Sequence, residues 1–99
     1  MPDRSSQPPD QPSPRTAAQR LATQILARTA DHLTNIGPKP MADSWRTAAL
    51  NTAMNDVLDP VESKYQRSAA RRAVLMALPP ITGTTVEYAA RVRELAVAA

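Results

Sequence analysis

Proline placement constrains this 99-residue chain more than any other feature. Five of its ten prolines crowd into residues 1–14, "MPDRSSQPPDQPSP", and the rest fall at 38, 40, 60, 79 and 80. Proline removes a backbone donor and clashes with the preceding helical turn, so it interrupts helices. It is confined to the edges of sheets for the same lack of a donor. Four proline-free stretches remain, each long enough for one helix. None alternates apolar and polar residues as a half-buried strand would.

The first stretch predicts a helix over about 14–36. Pro14 suits the first helical position and Ser13 can cap it. At about 100° per residue, Ala18, Leu21, Ala22, Ile25, Leu26, Leu33 and Ile36 share one side. Gly37 and Pro38 then supply a stop. The second helix is predicted over about 44–58, capped by Asp43 or Ser44, with Trp45, Ala49, Ala53 and Val57 as its stripe and Leu50 and Met54 widening it. The third is predicted over about 60–78 from "DPVE": Asp59 as cap, Pro60 in first position, Glu62 reaching back as a capping box. Its first half puts Val61, Tyr65 and Ala69 on one side. Its second half, "AVLMAL", is apolar nearly all round and reads as a buried end. The fourth is predicted over about 85–98, with Thr84 and Glu87 as a capping box. Tyr88, Val92, Leu95 and Ala96 form its stripe, and Glu87 and Arg91 an i,i+4 pair.

The expected fold is therefore all-α: a small four-helix bundle-like domain over 14–99, preceded by a disordered Pro-rich arm over 1–13. The arm has no large apolar residue after Met1, too little to offset its ordering entropy. Its "PPDQPSP" has the makings of a polyproline-type ligand, with a solvated tail as the plainer reading. The expected core is Leu21, Ile25 and Leu33, then Trp45 and Val57, Val74 and Met76, and finally Tyr88, Val92 and Leu95.

That core is thin. The chain has 18 alanines, three aromatic residues and no phenylalanine. Burial stabilises in proportion to apolar area, so alanine contributes little per residue. A small domain with such a core is expected to gain from a protein partner or from homo-oligomerisation.

Several function classes lose support from composition alone. With no cysteine there is no disulfide framework, thiolate nucleophile or Cys-based zinc site. Gly37 and Gly83 are too few for a phosphate-cradling loop. His32 is the sole histidine, leaving little for a metal or for activating a serine. The carboxylates Asp31, Asp43, Asp56, Asp59 and Glu62 fall mostly at helix caps, where a structural role suffices. No enzyme activity, cofactor or metal is expected. The first helix carries Arg15, Arg20 and Arg28 beside a Leu/Ile face, but it lacks Trp and Phe and reads as a packing helix rather than a membrane-surface one. No apolar run approaches a membrane span and no signal-peptide core is present, so a cytoplasmic location is expected.

What remains is charge and surface. The net charge is +3 and the pI about 10.0, with the excess residing in segments 15–36 and 59–78. Lys64, Arg67 and Arg71 recur at spacings of three and four, placing them on one helix face that could grip phosphates. No aromatic residue interleaves with them, which disfavours stacking on single strands. Residues 67–85 also read like the front of a DNA-binding winged helix, but "PPITGT" exceeds the three- or four-residue turn of a compact helix-turn-helix, and Glu87 and Glu94 would face the phosphates. Leu75 and Leu78, on the all-round apolar end, are the candidate partner surface. Arginine outnumbers lysine ten to two, which with the high alanine suggests a GC-rich genome. The expectation is a non-enzymatic helical interaction, accessory or regulatory protein of bacterial or phage type. A nucleic-acid-binding regulator using Lys64, Arg67 and Arg71 is the alternative.

Overall fold

Helix α1 (Pro14–Ile36) is the axis on which the other elements are hung: α2 (Asp43–Leu58), α3 (Lys64–Ala77) and α4 (Thr85–Ala98) each pack on it and touch one another only marginally. The computed structural model describes residues 14–98, within which the chain is an all-α, bundle-like fold without a strand. The predicted arm over 1–13 and the Ser13 cap lie outside the described residues.

Alpha-1 can serve three neighbours because its apolar positions make a broad stripe of small and large side chains. Ala18, Ala22, Ile25, Leu26, Ala30 and Leu33 are all buried. The alanines let neighbouring backbones approach, while Ile25 and Leu33, fully buried, each contribute about 1.5–3 kcal/mol relative to an exposed side chain. Thr29 is buried in the same stripe and donates its hydroxyl to the Ile25 carbonyl at 2.7 Å, so no polar group is left open. From the other helices the core takes Leu50, Met54, Val57, Val74, Tyr88 and Val92. Leu21, Trp45 and Leu95 pack at its margin, half-buried.

The chain ends α1 at Gly37, whose φ of +88° is the left-handed conformation glycine adopts without strain. Its N–H donates to the Thr34 carbonyl at 3.1 Å. Alpha-4 opens with the reciprocal capping box: Thr84 N–H donates to Glu87 Oε1 at 2.9 Å, and Glu87 N–H to Thr84 Oγ1 at 3.1 Å. Gly83, at φ +73°, comes so close to the Glu87 carboxylate that any side chain there would collide with it. Arg91 reaches the Thr82 carbonyl at 3.4 Å rather than pairing with Glu87.

These two turns are clasped together. Met41 N–H donates to the Gly83 carbonyl at 2.9 Å, and Thr85 N–H to the Lys39 carbonyl at 2.8 Å. The buried Thr85 hydroxyl accepts from Lys39 N–H and donates to the Gly37 carbonyl. Nearby, buried Tyr88 donates its hydroxyl to the Pro79 carbonyl at 2.7 Å. The Arg46 guanidinium bonds to Asp43 at 3.0 Å and is held above its ordinary pKa by the nearby Tyr88 hydroxyl and by Asp43, against the opposing pull of burial.

Three further expectations need correction. Alpha-2 begins at Asp43, one residue early, and its N-cap is Ala42 with no side-chain bond. Asp43 instead sits inside the first turn, where its charge faces the positive helix end and takes Arg46 at 3.0 Å. Alpha-3 begins at Lys64 rather than Pro60: Ser63 is the cap, accepting from Gln66 N–H at 3.1 Å. Asp59 closes α2, its N–H donating to the Asn55 carbonyl, and Val61 N–H continues the turn onto the Leu58 carbonyl. That turn lets Val61 pack against the core, which outweighs a capping box at Asp59 and Glu62. Met76, expected in the core, is 80% exposed. Alpha-3 presents only Ala70 and Val74 fully inward, and Met76 stands well round the helix from both.

Candidate functional site

Alpha-3 leans on α1 along a single narrow line, leaving an open edge on each side of it. Its sequence, "KYQRSAARRAVLMA", contains four cations and no acid. Among the described residues five large apolar side chains stay open to solvent, and three of them are on this one helix: Tyr65 at 62%, Leu75 at 57% and Met76 at 80%. The other two, Val86 and Val97, stand on α4.

The edge facing α2 carries the residues singled out from the sequence. Lys64, Arg67 and Arg71 line one groove of about 330 Å³. Its opposite wall is the last turn of α2, with Met54 and Leu58 as apolar floor and Asn55 and Asp59 at the rim. Ser68 adds a hydroxyl. Lys64 and Arg71 are exposed and Arg67 half-buried, and among the described residues none of the three is in an ion pair. The groove places these cations beside the carbonyl end of α2, which attracts positive charge. Part of the basic stripe therefore serves the scaffold.

The helical period continues this edge from Arg71 to Leu75 and Leu78. The two surfaces inferred separately from the sequence thus form one strip, basic over its first half and apolar over its second. Leu75 is open to solvent, whereas Leu78 is half-buried and packs against the core. A strip of that kind can hold a segment that offers carboxylates to one end and an apolar side chain to the other.

Several other ionisable groups pair elsewhere on the surface. Asp56 lies 3.7 Å from Arg28 and 3.8 Å from His32 Nε2, joining α1 to α2. Asp31 takes Arg93 of α4 at 2.8 Å. These are surface pairs worth at most about 1 kcal/mol each. Among the described residues no three His, Asp or Glu side chains gather in a metal-holding group, and no helix is long and apolar enough to cross a membrane.

A second groove, of about 730 Å³, runs along the other edge of α3 beside Gln19 of α1. Tyr65, Ala69, Arg72 and Met76 line it at spacings of four, three and four. Tyr65 and Ala69 share a side in the sequence pattern too. The repeat through Arg72 to Met76 was the available signal. Comparison of the chain with protein-family models, with curated proteins and with solved structures gives no match.

Proposed function

We propose that this chain is a non-enzymatic interaction protein, accessory or regulatory in role, that works in the cytoplasm. Its α2–α3 edge receives an acidic, apolar segment of another protein. The observation that supports this most is the strip itself: Lys64, Arg67 and Arg71 without acid partners, running into exposed Leu75 on the same edge. Opposite charge orients an arriving segment and speeds its encounter, and the apolar contact holds it. The lone histidine, engaged near Asp56 and Arg28, favours no catalytic role.

The test is affinity capture with the full chain against Arg67→Glu/Arg71→Glu/Leu75→Ser. A single stoichiometric protein is expected, retained by the parent, released by salt and lost from the triple variant while helicity and denaturation midpoint stay in place. A captured protein indifferent to these substitutions, or a monomeric chain that takes no protein and turns over a substrate, contradicts the proposal.

A nucleic-acid reading draws on a specific feature, the three cations converging with Asn55 and Ser68 in one groove. Asp59 in the same rim and the apolar second half of the strip weigh against it. Phosphate contacts would give binding that weakens steeply with salt. An electrophoretic mobility shift at low salt, reduced by Lys64→Gln/Arg67→Gln/Arg71→Gln, would favour this reading, and its absence rejects it.

A further inference from the structure

Two helix faces are left uncovered, and their chemistry is complementary. The five large apolar side chains open to solvent among the described residues all belong to α3 or α4. Alpha-3 carries four cations and no acid, and its exposed Arg72 is in no ion pair among the described residues. On α4 the unmatched charge has the opposite sign. Arg91 and Arg93 are bonded to the Thr82 carbonyl and to Asp31, and Glu87 holds the Thr84 amide. That leaves exposed Glu94, which is in no ion pair among the described residues.

Each face also has the form that receives another helix. When helices interlock, a side chain of one enters a hole made by four residues of the other, at positions i, i+3, i+4 and i+7. The groove between α1 and α3 contains two such sets: Tyr65, Ser68, Ala69 and Arg72, then Ala69, Arg72, Ala73 and Met76. Their centres are four residues apart, about 6 Å along the helix. The first hole is polar, with a phenol, a hydroxyl and a guanidinium. The second has two alanines for a floor and exposed Met76 for a wall. On α4, Ala90, Arg93, Glu94 and Val97 line a depression of about 400 Å³ and make one more complete hole.

The α4 face supplies what the two holes of α3 lack. Val97, 85% exposed, is a branched apolar knob for the alanine-floored hole. Glu94 stands three residues before it, about 4.5 Å along the axis, at the spacing that brings a carboxylate to the polar hole and Arg72. Met76 in turn is of a size to enter the hole on α4.

Within one chain these faces do not cover each other, since α3 and α4 each rest on α1 and leave Met76 and Val97 open. A second copy brings them together. Pairing α3 with α3 would set four cations against four with no acid on either side. Pairing α3 with α4 matches Arg72 with Glu94 at every contact.

We infer that α3 of one copy packs against α4 of another, with Val97 seated among Ala69, Ala73 and Met76 and with Glu94 on Arg72. Each copy has one face of each kind, so the contact is heterologous. The inference is independent of what the basic strip on the α2 edge binds, because its test uses the purified chain alone.

That test is sedimentation velocity on the full chain from about 10 μM to about 1 mM, the range in which a contact as small as one helix pair associates. The parent is expected to grow in mass with concentration. Arg72→Glu sets acid against acid and Glu94→Arg sets cation against cation, so each variant alone is expected to associate at least about tenfold more weakly. Both positions are exposed, so helicity and denaturation midpoint stay at the parent's values. An equal mixture of the two variants restores opposite charges at every contact, and so does the double variant Arg72→Glu/Glu94→Arg. Both are expected to regain the parent's association. A parent chain that stays monomeric over the whole range overturns the inference. So does a single variant that associates as the parent does, since another surface then makes the contact. Weakened single variants that neither mixing nor the double substitution restores overturn it as well, because Arg72 and Glu94 then do not meet.

Discussion

Helices α3 and α4 are both 14 residues long and both rest on α1, yet they are held in different ways. Alpha-4 begins with a reciprocal capping box, is clasped through Thr85 to the turn after α1, and buries Thr85, Tyr88, Ala89 and Val92. Alpha-3 has a lone serine cap and buries Ala70 and Val74. One helix closes the fold and the other is displayed by it. Alpha-3 is the more polar of the two, with four cations, yet it also contains Tyr, Val, Leu and Met. Where those side chains fall around the helix adds to the difference: most of α3's large apolar residues lie off its line of contact.

Removing support common to both helices should have the largest effect. Ile25 on α1 is fully buried, and Ile25→Ala should destabilise by about 2–5 kcal/mol, read from a chemical-denaturation midpoint. An unmoved midpoint would place α1 outside the core and dissolve the comparison. Thr85→Val addresses α4 alone. It keeps the shape of the side chain but strips the Lys39 N–H and Gly37 carbonyl of their hydroxyl partner, a cost of about 1–3 kcal/mol in the same assay.

Much of the frame behind those two expectations is legible in the chain. Prolines and glycines mark where α1 stops and where α4 starts, and the Thr84–Glu87 spacing names the capping box found. The start of α3 is less legible. Asp59 with Glu62 and Ser63 with Gln66 are both sound caps locally, and the choice is made by Val61, whose packing is a tertiary fact. The direction in which "AVLMAL" turns is also hidden, because periodicity cannot select a face from residues that are all apolar. Of the candidate site, the basic stripe is legible from its three-and-four spacing. Its union with Leu75 and the end of α2 is not, since that depends on how α3 lies against its neighbours.

Two smaller effects sharpen the contrast on the side of α3. Ser63→Ala removes the only side-chain cap this helix has and should cost about 1 kcal/mol, seen as a modest fall in midpoint. Met76→Ser should stay within about 0.5 kcal/mol of the parent, as for surface positions generally. A loss of several kcal/mol there would mean that Met76 is structural and that α3 is not a displayed helix.

Native-state hydrogen exchange at two valines tests the contrast between a closing and a displayed helix most directly. Val74 on α3 and Val92 on α4 are both fully buried and both lie within their helices, so local shielding is matched and the difference reports how firmly each helix is held. The Val92 amide is expected to be protected at least about tenfold more than the Val74 amide, a gap of about 1.4 kcal/mol in opening free energy. Equal protection at the two positions, or greater protection at Val74, would contradict it.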